Sequence, residues 1–279
     1  MLTLAFVTLY PVSYGLQLGQ FSLVLATSWA GAYLLLRSGR DAWAGLALTP
    51  LLIKPELLVP VALYLAWKQR WRTIATLLPA AAVAIAVSVA VTGVPAALAY
   101  PGYLLDSTRW SDSGVTTSGM FNWSGIVAMK WDPAEFPLAL AAVAALIAAT
   151  LAALAYSSRG EALPRSERYA RQWLLLTLAT VLVDPHLYLQ DTILVAPAAV
   201  AVLGAAPPAH RARVSAVMLG GWALLALGIY PNEHLHVDAF ALYMAAAGVA
   251  VLAWEMRHRQ ADAPAWDARR ATAVHVEAG

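Results

Sequence analysis

Lys54 is a positive charge inside an apolar segment that runs from Ala42 to Trp67. If this segment lies in a membrane, a lysine near the bilayer centre costs about 3 kcal/mol on insertion scales, so an anionic partner is expected. The functional interpretation is phosphate binding, for which lysine supplies a compact charge. The structural alternatives are a lysine that extends to the membrane surface and an internal salt bridge to Glu56.

A second apolar segment is interrupted by four residues that can act as acids, bases or ligands: Asp184, His186, Tyr188 and Asp191. A histidine beside carboxylates can act as a general base or orient a phosphate. Carboxylate and imidazole groups also bind metals, but this spacing matches no specific metal signature. The structural alternative is that these polar groups satisfy the backbone of a broken helix.

Weaker candidates lie at Gln17 and Gln20, which could bind sugar hydroxyls or simply lie at a membrane interface. Asn122 lies in the segment Phe121–Gly125, where aromatic and amide groups are mixed as in many carbohydrate sites. Asn122-Trp123-Ser124 also fits the short glycosylation sequon. Three acidic residues of the same polar stretch are further candidates for a catalytic base, or are solvated loop charges: Asp106, Asp112 and Asp132.

The composition identifies a membrane protein. Of 279 residues, 61% are hydrophobic and 12% are charged, whereas soluble domains carry about 25% charged residues. The chain has no cysteine, which excludes disulfides, Cys-ligated zinc and thiol nucleophiles. No basic patch with interleaved aromatic residues is present, so nucleic acid is not an expected partner. Eleven Trp and eleven Tyr suit a protein with many membrane–water interfaces.

The positions of the 18 Lys and Arg residues predict a topology. All but Lys54, Arg109 and Lys130 fall in short segments between apolar stretches or in the C-terminal tail. Short basic loops stay on the cytoplasmic side. The predicted cytoplasmic loops are 37–41, 68–72, 159–171 and 211–213. The longest polar stretch, 92–136, is predicted to be external.

Two apolar stretches each begin and end beside a basic loop, so a single crossing would contradict the charge rule. Ala42–Trp67 is therefore predicted to be a hairpin of two short helices broken at Lys54-Pro55, because proline disfavours helical geometry in the preceding residue. Each arm of roughly 12 residues is ~18 Å long, so the apex stops short of the far surface. Trp173–Leu203 is predicted to form a second hairpin, broken at Asp184-Pro185-His186.

Four further segments are long enough to cross the membrane: 74–91, 137–156, 214–230 and 239–254. The predicted fold class is all-α, a polytopic transmembrane bundle with two short broken-helix hairpins. Residues 1–255 form the predicted membrane domain, and 256–279 a disordered cytoplasmic tail. Leu2 to Val12 is too short for a span of ~20 residues, and it resembles the end of a membrane helix whose start is missing.

Taken together, several short motifs resemble glycosyltransferase family 87, the polyprenyl-phosphate-mannose-dependent membrane mannosyltransferases also described as DUF2029. The resemblance covers roughly residues 10 to 255, and the ordered combination carries it rather than any one motif. These motifs are Gly19-Gln20, Ala44-Gly45, Ile53-Lys54-Pro55, Lys68 to Arg72, Asn122-Trp123-Ser124-Gly125 and His186 to Asp191.

The resemblance implies a GT-C-type fold and transfer of a hexose, with mannose expected, from a polyprenyl-phosphate donor outside the cytoplasmic membrane. The acceptor would be a lipid-linked or cell-envelope glycan, and no cofactor or metal is expected. His186 and Asp184 are the predicted catalytic residues, and Lys54 and His186 are placed near the donor phosphate. The predicted substrate contacts are Gln20, Asn122, Tyr188 and Asp191.

One departure from the family pattern bears on activity. GT-C enzymes typically place a catalytic carboxylate in the first external loop, and this chain is expected to start beyond it. Two other functions stay open: a transporter or flippase of a lipid-linked anion, which would also use broken helices with charged residues, and a truncated, non-catalytic membrane partner. Both hairpins open the same way, which disfavours an inverted-repeat transporter.

Overall fold

The computed structural model describes residues 10–105, 119–131, 136–160, 162–164, 166–227, 230–235 and 237–276. Over these residues the secondary structure is helical, which confirms the all-α prediction. The helices of the first part are α1 (Tyr10–Gln17), α2 (Ser22–Arg37), α3 (Asp41–Leu48), α4 (Leu58–Trp67), α5 (Trp71–Thr92) and α6 (Val94–Leu105). Those of the second part are α7 (Trp123–Ala128), α8 (Pro137–Ser157), α9 (Glu167–Val183), α10 (Val195–Ala205), α11 (Pro208–Ala226), α12 (Tyr230–Leu235) and α13 (Ala239–Val276).

Both hairpins are present. The first consists of α3 and α4, joined by two 3-10 helices, Thr49–Ile53 and Pro55–Leu57, with Lys54 between them. The second consists of α9 and α10, joined by the turn at 184–188 and the 3-10 helix Leu189–Leu194. The breaks therefore lie where the prolines predict them.

Helix α9 lies at the centre of the bundle, and twelve of its residues are buried. It packs against α4, α8, α10 and α13. Against α2 it forms an aromatic cluster, in which the Trp29 and Trp173 ring centroids are 5.0 Å apart. The Trp29 indole N–H donates to Thr177 Oγ1 at 2.8 Å, so this buried polar group is satisfied.

Helices at the periphery have the surface of membrane spans. Among the described residues, three helices are long and apolar enough to cross a bilayer: Trp71–Thr92, Pro137–Ser157 and Ala239–Arg257. Only 6% of the most apolar stretch of α5 is buried, and most of its exposed side chains are apolar, which suits contact with lipid. The predicted crossing at 214–230 overlaps α11, which ends earlier, at Ala226.

Small residues allow close packing where α3 meets α5, as is common between membrane helices. A Cβ atom at Gly45 would overlap Thr76 Oγ1 and the main-chain carbonyl of Thr73. Thr76 also bridges the two helices, because its hydroxyl donates to the Ala42 carbonyl at 2.9 Å. The first hairpin is thus held tightly against the adjacent crossing.

Three of the four basic loops meet at one end of the bundle. Lys68 Nζ donates to the Gly160 carbonyl at 2.7 Å, and Arg70 forms an ion pair with Asp41 at 3.2 Å. The predicted topology requires the loops 37–41, 68–72 and 159–171 to lie on one side of the membrane, and the contacts between them agree with it.

Helix α13 continues through 256–276, so the backbone is helical where the sequence predicts a disordered tail. The division into a membrane domain and a cytoplasmic tail stays a prediction. The apolar segment Leu2–Val12 lies mostly outside the described residues.

Candidate functional site

The apex of the first hairpin presents Lys54 outside any helical turn. Its backbone is extended (φ −130°, ψ 80°) between the two 3-10 helices. Pro55 has no amide N–H and fixes the start of the second 3-10 helix. The Lys54 amide donates to the Leu51 carbonyl at 2.9 Å, and its carbonyl accepts from the Leu57 amide at 3.1 Å. The backbone is thus satisfied, and the side chain is free to leave the helix axis.

At the apex of the second hairpin, the side chains of two aspartates accept hydrogen bonds from main-chain amides of the same turn. Asp184 follows α9, and its Oδ1 accepts the His186 amide at 2.8 Å, as in an Asx turn. Asp191 Oδ2 accepts the Tyr188 amide at 3.4 Å, which closes the start of the 3-10 helix Leu189–Leu194. Asp184 and Asp191 are 2% and 1% exposed, so both carboxylates have left water.

The two apices meet through Lys54. Its ammonium forms an ion pair with Asp191 and donates to the His186 carbonyl at 3.3 Å. The sequence indicated that Lys54 needs an anionic partner, and the structure shows that this partner is Asp191. The alternative partner considered from the sequence, Glu56, forms no salt bridge with Lys54 in the described structure. The other Asp191 oxygen accepts the Ser22 hydroxyl at 2.9 Å, which adds helix α2 to the junction.

The charges at this junction are unequal. Asp184 and Glu56 lie near enough to Lys54 to attract it, in addition to Asp191. Of these three carboxyl groups, Asp191 forms the ion pair with the ammonium in the described structure. A lysine ammonium has three N–H donors, and Asp191 and the His186 carbonyl occupy two of them. The Lys54 side chain is 19% exposed, which leaves a path for a ligand to the third.

Several polar atoms around the junction have no hydrogen-bond partner in the described part of the chain. They are Glu56 Oε2, Asp184 Oδ2, Tyr188 Oη and Gln190 Oε1. Buried polar atoms are normally paired, so a group of unpaired ones needs an explanation. Three of the four are acceptors, and they would suit a ligand that brings hydroxyl donors, as a sugar does.

Asn122 is fully buried, and both the nitrogen and the oxygen of its side-chain amide form hydrogen bonds within the protein. Its Nδ2 donates to the Asp184 carbonyl at 2.7 Å, and its Oδ1 accepts the Gly125 amide at 2.7 Å as the N-cap of α7. The adjacent Phe121 amide donates to the Leu187 carbonyl at 2.8 Å. The polar stretch is thus fastened to the second apex, a role that sequence reasoning missed. The predicted contact of Asn122 with substrate stays a prediction.

The remaining candidate residues form no hydrogen bond with the Lys54 junction among the residues that the structure describes. Gln20 is exposed in the turn between α1 and α2, and no hydrogen bond in the described structure joins its side chain to Lys54 or His186. Among the described residues, no cluster of three or more His, Asp or Glu side chains could hold a metal ion. The candidate bases Asp106, Asp112 and Asp132 lie outside the described residues.

Ser22 was also missed from the sequence. A serine at the start of an apolar helix has no distinguishing signal, and its partner Asp191 is 169 residues away. Tyr188 and Asp191 were both selected, although the structure gives Asp191 a structural partner at each oxygen. The structure places Lys54 in contact with the segment that contains Asp184, His186, Tyr188 and Asp191. The predicted roles of these residues in binding and catalysis stay predictions.

Comparison with known proteins adds the family. The model of glycosyltransferase family 87 matches residues 1–185, which include Lys54, Asn122 and Asp184 but end before His186. No curated protein and no solved structure matches the chain. Since the match covers more than half of the chain and the helices suit a bilayer, the chain belongs to glycosyltransferase family 87 and is a membrane glycosyltransferase.

Proposed function

We propose that this glycosyltransferase transfers a hexose, with mannose as the expected sugar, from a polyprenyl-phosphate donor to a lipid-linked or cell-envelope glycan. The reaction would take place on the non-cytoplasmic side of the cell membrane. The observation that carries the proposal is the Lys54 junction, where a cation at a hairpin apex keeps one N–H donor and some exposure. A lipid phosphate needs a cation that it can reach from the bilayer.

In the proposed reaction, the acceptor hydroxyl attacks the anomeric carbon of the hexose. The bond between this carbon and the phosphate oxygen breaks, and the polyprenyl phosphate leaves with an additional negative charge. Lys54 lies where it can stabilise this charge as it develops, which is the most effective form of electrostatic catalysis. The acceptor proton passes to Asp184 Oδ2, an atom without a partner in the described structure. His186 orients the phosphate.

Asp191 has a different part in this proposal. It holds the Lys54 ammonium in place before any donor is bound, and Ser22 holds Asp191. Preorganised charges of this kind need no reorganisation at the moment of reaction. Tyr188, whose hydroxyl has no partner in the described residues, and the exposed Gln20 are proposed substrate contacts. Asn122 is buried and bonded at both ends of its amide, so we propose that it supports the site through the Asp184 backbone.

The proposed sidedness rests on two observations. The basic loops at 37–41, 68–72 and 159–171 gather at one end of the bundle. Helices α3, α4 and α9 run from these loops to the Lys54 junction, which therefore lies away from the basic end. Short basic loops stay in the cytoplasm, so the junction would open toward the other side.

The test is transfer from a polyprenyl-phosphate sugar in membranes that contain the full chain. Lys54→Arg should keep part of the activity, because the charge survives although the guanidinium is larger and planar. Lys54→Met alone leaves Asp191 buried without a cation, so the informative variant combines Lys54→Met with Asp191→Asn. This pair should fold and should lose transfer.

Full transfer by the folded double variant would show that the Lys54 charge has no part in the reaction. Movement of intact polyprenyl phosphate across sealed vesicles, with no sugar transferred, would instead support a flippase. An inactive wild type in the transfer assay, together with no transport, would support a non-catalytic partner.

A further inference from the structure

A polar cavity lies at the basic end of the bundle, away from the Lys54 junction. It has a volume of about 380 Å³, within the range of about 300 to 1,000 Å³ that is typical of small-ligand sites. Its polar lining comes from α4, α9 and the loops that flank α3 and α5: Asp41, Tyr64, Lys68, Arg70, Tyr169 and Gln172. The transfer reaction proposed above uses none of these residues.

Arg70, on the cationic side of the cavity, has hydrogen-bond donors that its ion pair does not use. Arg70 uses one guanidinium nitrogen, Nη1, for both oxygens of Asp41, at 3.2 and 3.3 Å. A guanidinium has five N–H donors in a planar fork that matches phosphate oxygens. Lys68, which anchors to the Gly160 carbonyl, adds a second positive charge. A phosphate group would meet both cations.

The lining of the cavity also offers acceptors. Gln172 is fully buried, and its Nε2 donates to the Ser157 carbonyl at 3.0 Å. Its Oε1 has no partner in the described part of the chain, although it is buried. A ligand hydroxyl would satisfy this atom, and the Asp41 carboxylate can accept another. The cavity therefore suits a phosphate that also carries hydroxyl groups.

Exposed tryptophans place the cavity at the depth of lipid headgroups. Trp67 and Trp71 flank the turn 68–70 and are 53% and 60% exposed, and Trp43 beyond Asp41 is 64% exposed. Exposed tryptophans of membrane proteins collect at the level of the headgroups. The cavity thus lies where phospholipid phosphates are found.

The backbone at Gln69 provides a supporting comparison. The turns after α2 and α4 close in the same way, with the Arg40 amide donating to Leu35 and the Arg70 amide to Leu65, at 2.9 and 2.8 Å. The left-handed residue is glycine in the first turn, Gly39, but glutamine in the second, where Gln69 has a φ of 54°. Glycine adopts the left-handed conformation more easily than glutamine does. The second turn nevertheless has glutamine, and this residue lines the cavity.

We infer that this cavity is a binding site for a hydroxyl-bearing phosphate, with Lys68 and Arg70 on the phosphate and Gln172 and Asp41 on the hydroxyls. The phosphatidylglycerol headgroup and soluble glycerol 3-phosphate share this chemistry. The inference is independent of the proposed transfer reaction, since the site lies at the other end of the hairpins.

Native mass spectrometry of the full chain in detergent tests the inference, with phosphatidylglycerol and phosphatidylcholine as probes at equal concentration. We expect phosphatidylglycerol to be retained preferentially and Arg70→Gln combined with Asp41→Asn to weaken its binding about tenfold, since a charge-assisted hydrogen bond has this effect. Arg213→Gln removes one positive charge from an exposed position in the fourth basic loop and should leave binding unchanged. The cavity double variant keeps the net charge, so weaker binding by that variant would report the cavity and not the overall charge.

If the Arg70 variant does not fold, Tyr64→Phe combined with Tyr169→Phe keeps both rings and removes only two hydroxyls from the cavity wall, and it should also weaken binding. Displacement of the lipid by soluble glycerol 3-phosphate would identify the soluble compound as a competent ligand of the same site. Equal retention of both lipids, or equal weakening by Arg213→Gln and the cavity variants, would overturn the inference.

Discussion

The side-chain amide of Asn122 donates to the main-chain carbonyl of Asp184 at 2.7 Å, and the two residues are 62 positions apart. This hydrogen bond is the connection by which the polar stretch before α7 holds the apex of the second hairpin. The acceptor, Asp184, also orients the turn that meets Lys54. Loss of the Asn122 hydrogen bond should therefore disturb the Lys54 junction.

Asn122→Ala should therefore destabilise the protein and lower transfer. It removes two buried hydrogen bonds and leaves the Asp184 carbonyl and the Gly125 amide unpaired, at a cost of about 1–3 kcal/mol for each buried group. Thermal unfolding in detergent and the transfer assay measure the two effects. Asn122→Ser is the comparison variant, because serine keeps a hydroxyl that can cap the helix and lacks the amide nitrogen that donates to Asp184. A stability equal to that of the wild type in Asn122→Ala would contradict the fastening role.

Asp191→Asn should destabilise the protein because it leaves the Lys54 ammonium without its anion. Removal of one partner of a buried pair costs about 3–5 kcal/mol, whereas removal of both is often nearly neutral. The double variant with Lys54→Met should therefore recover most of the stability. A double-mutant cycle on the free energy of unfolding measures the coupling. Additive losses, with no recovery, would show that the pair does not stabilise the fold.

Gly45→Ala should destabilise the contact of α3 with α5, because its Cβ would overlap Thr76 Oγ1 and the Thr73 carbonyl. Overpacking of this kind costs about 1–3 kcal/mol. Gly204→Ala in α10 is the control, since its Cβ would meet nothing within 4 Å and alanine favours the helix by up to about 1 kcal/mol. The melting temperatures of the two variants should move in opposite directions. A shift of both in the same direction would disprove the steric argument.

Asp238, just before the membrane span of α13, should make stability depend on pH. Burial raises its pKa to about 7, although its Oδ1 accepts the Ala241 amide at 2.9 Å. The folded protein then binds this proton more tightly than the unfolded chain, so stability should fall as pH rises from about 4 to about 7. Asp238→Asn keeps the cap oxygen and should show a smaller fall in melting temperature over this range. An unchanged pH profile would contradict the assignment.

A single cysteine at Ser38 should be shielded from an impermeant thiol reagent in intact cells, since the 37–41 loop is predicted to be cytoplasmic. The chain has no native cysteine, so every label reports the introduced one. Thr92→Cys, at the predicted external end of α5, is the matched control and should be labelled. Both positions are exposed in the structure. Labelling of Ser38→Cys from outside would reverse the predicted topology.

The fold was largely predictable because its two strongest signals are local. Proline after Lys54 and after Asp184 breaks the helices at those residues, and the charge clusters fix which segments must return to the same end. The aromatic cluster of Trp29 with Trp173 was not predictable, since an apolar helix does not show in its sequence which face meets which neighbour.

The candidate site was predictable as a set of residues but not as a set of contacts. Lys54 required an anion, and Glu56 was the nearest one in sequence, whereas the fold supplies Asp191. Asn122 was selected for its chemistry, yet the structure uses that chemistry to hold the backbone. In each case the partner is distant along the chain, and a single sequence contains no record of such pairings.

The distance between Lys54 and Asp191 along the chain also bears on biosynthesis. The two residues are separated by 137 positions, and ribosomes add ~5–20 residues per second, so Lys54 is made about ten seconds before its partner. During that interval the first hairpin carries a lysine without its carboxylate, and full insertion would place that charge in lipid. We expect this hairpin to wait near the translocon or the interface, and to enter its final position only when the second hairpin arrives.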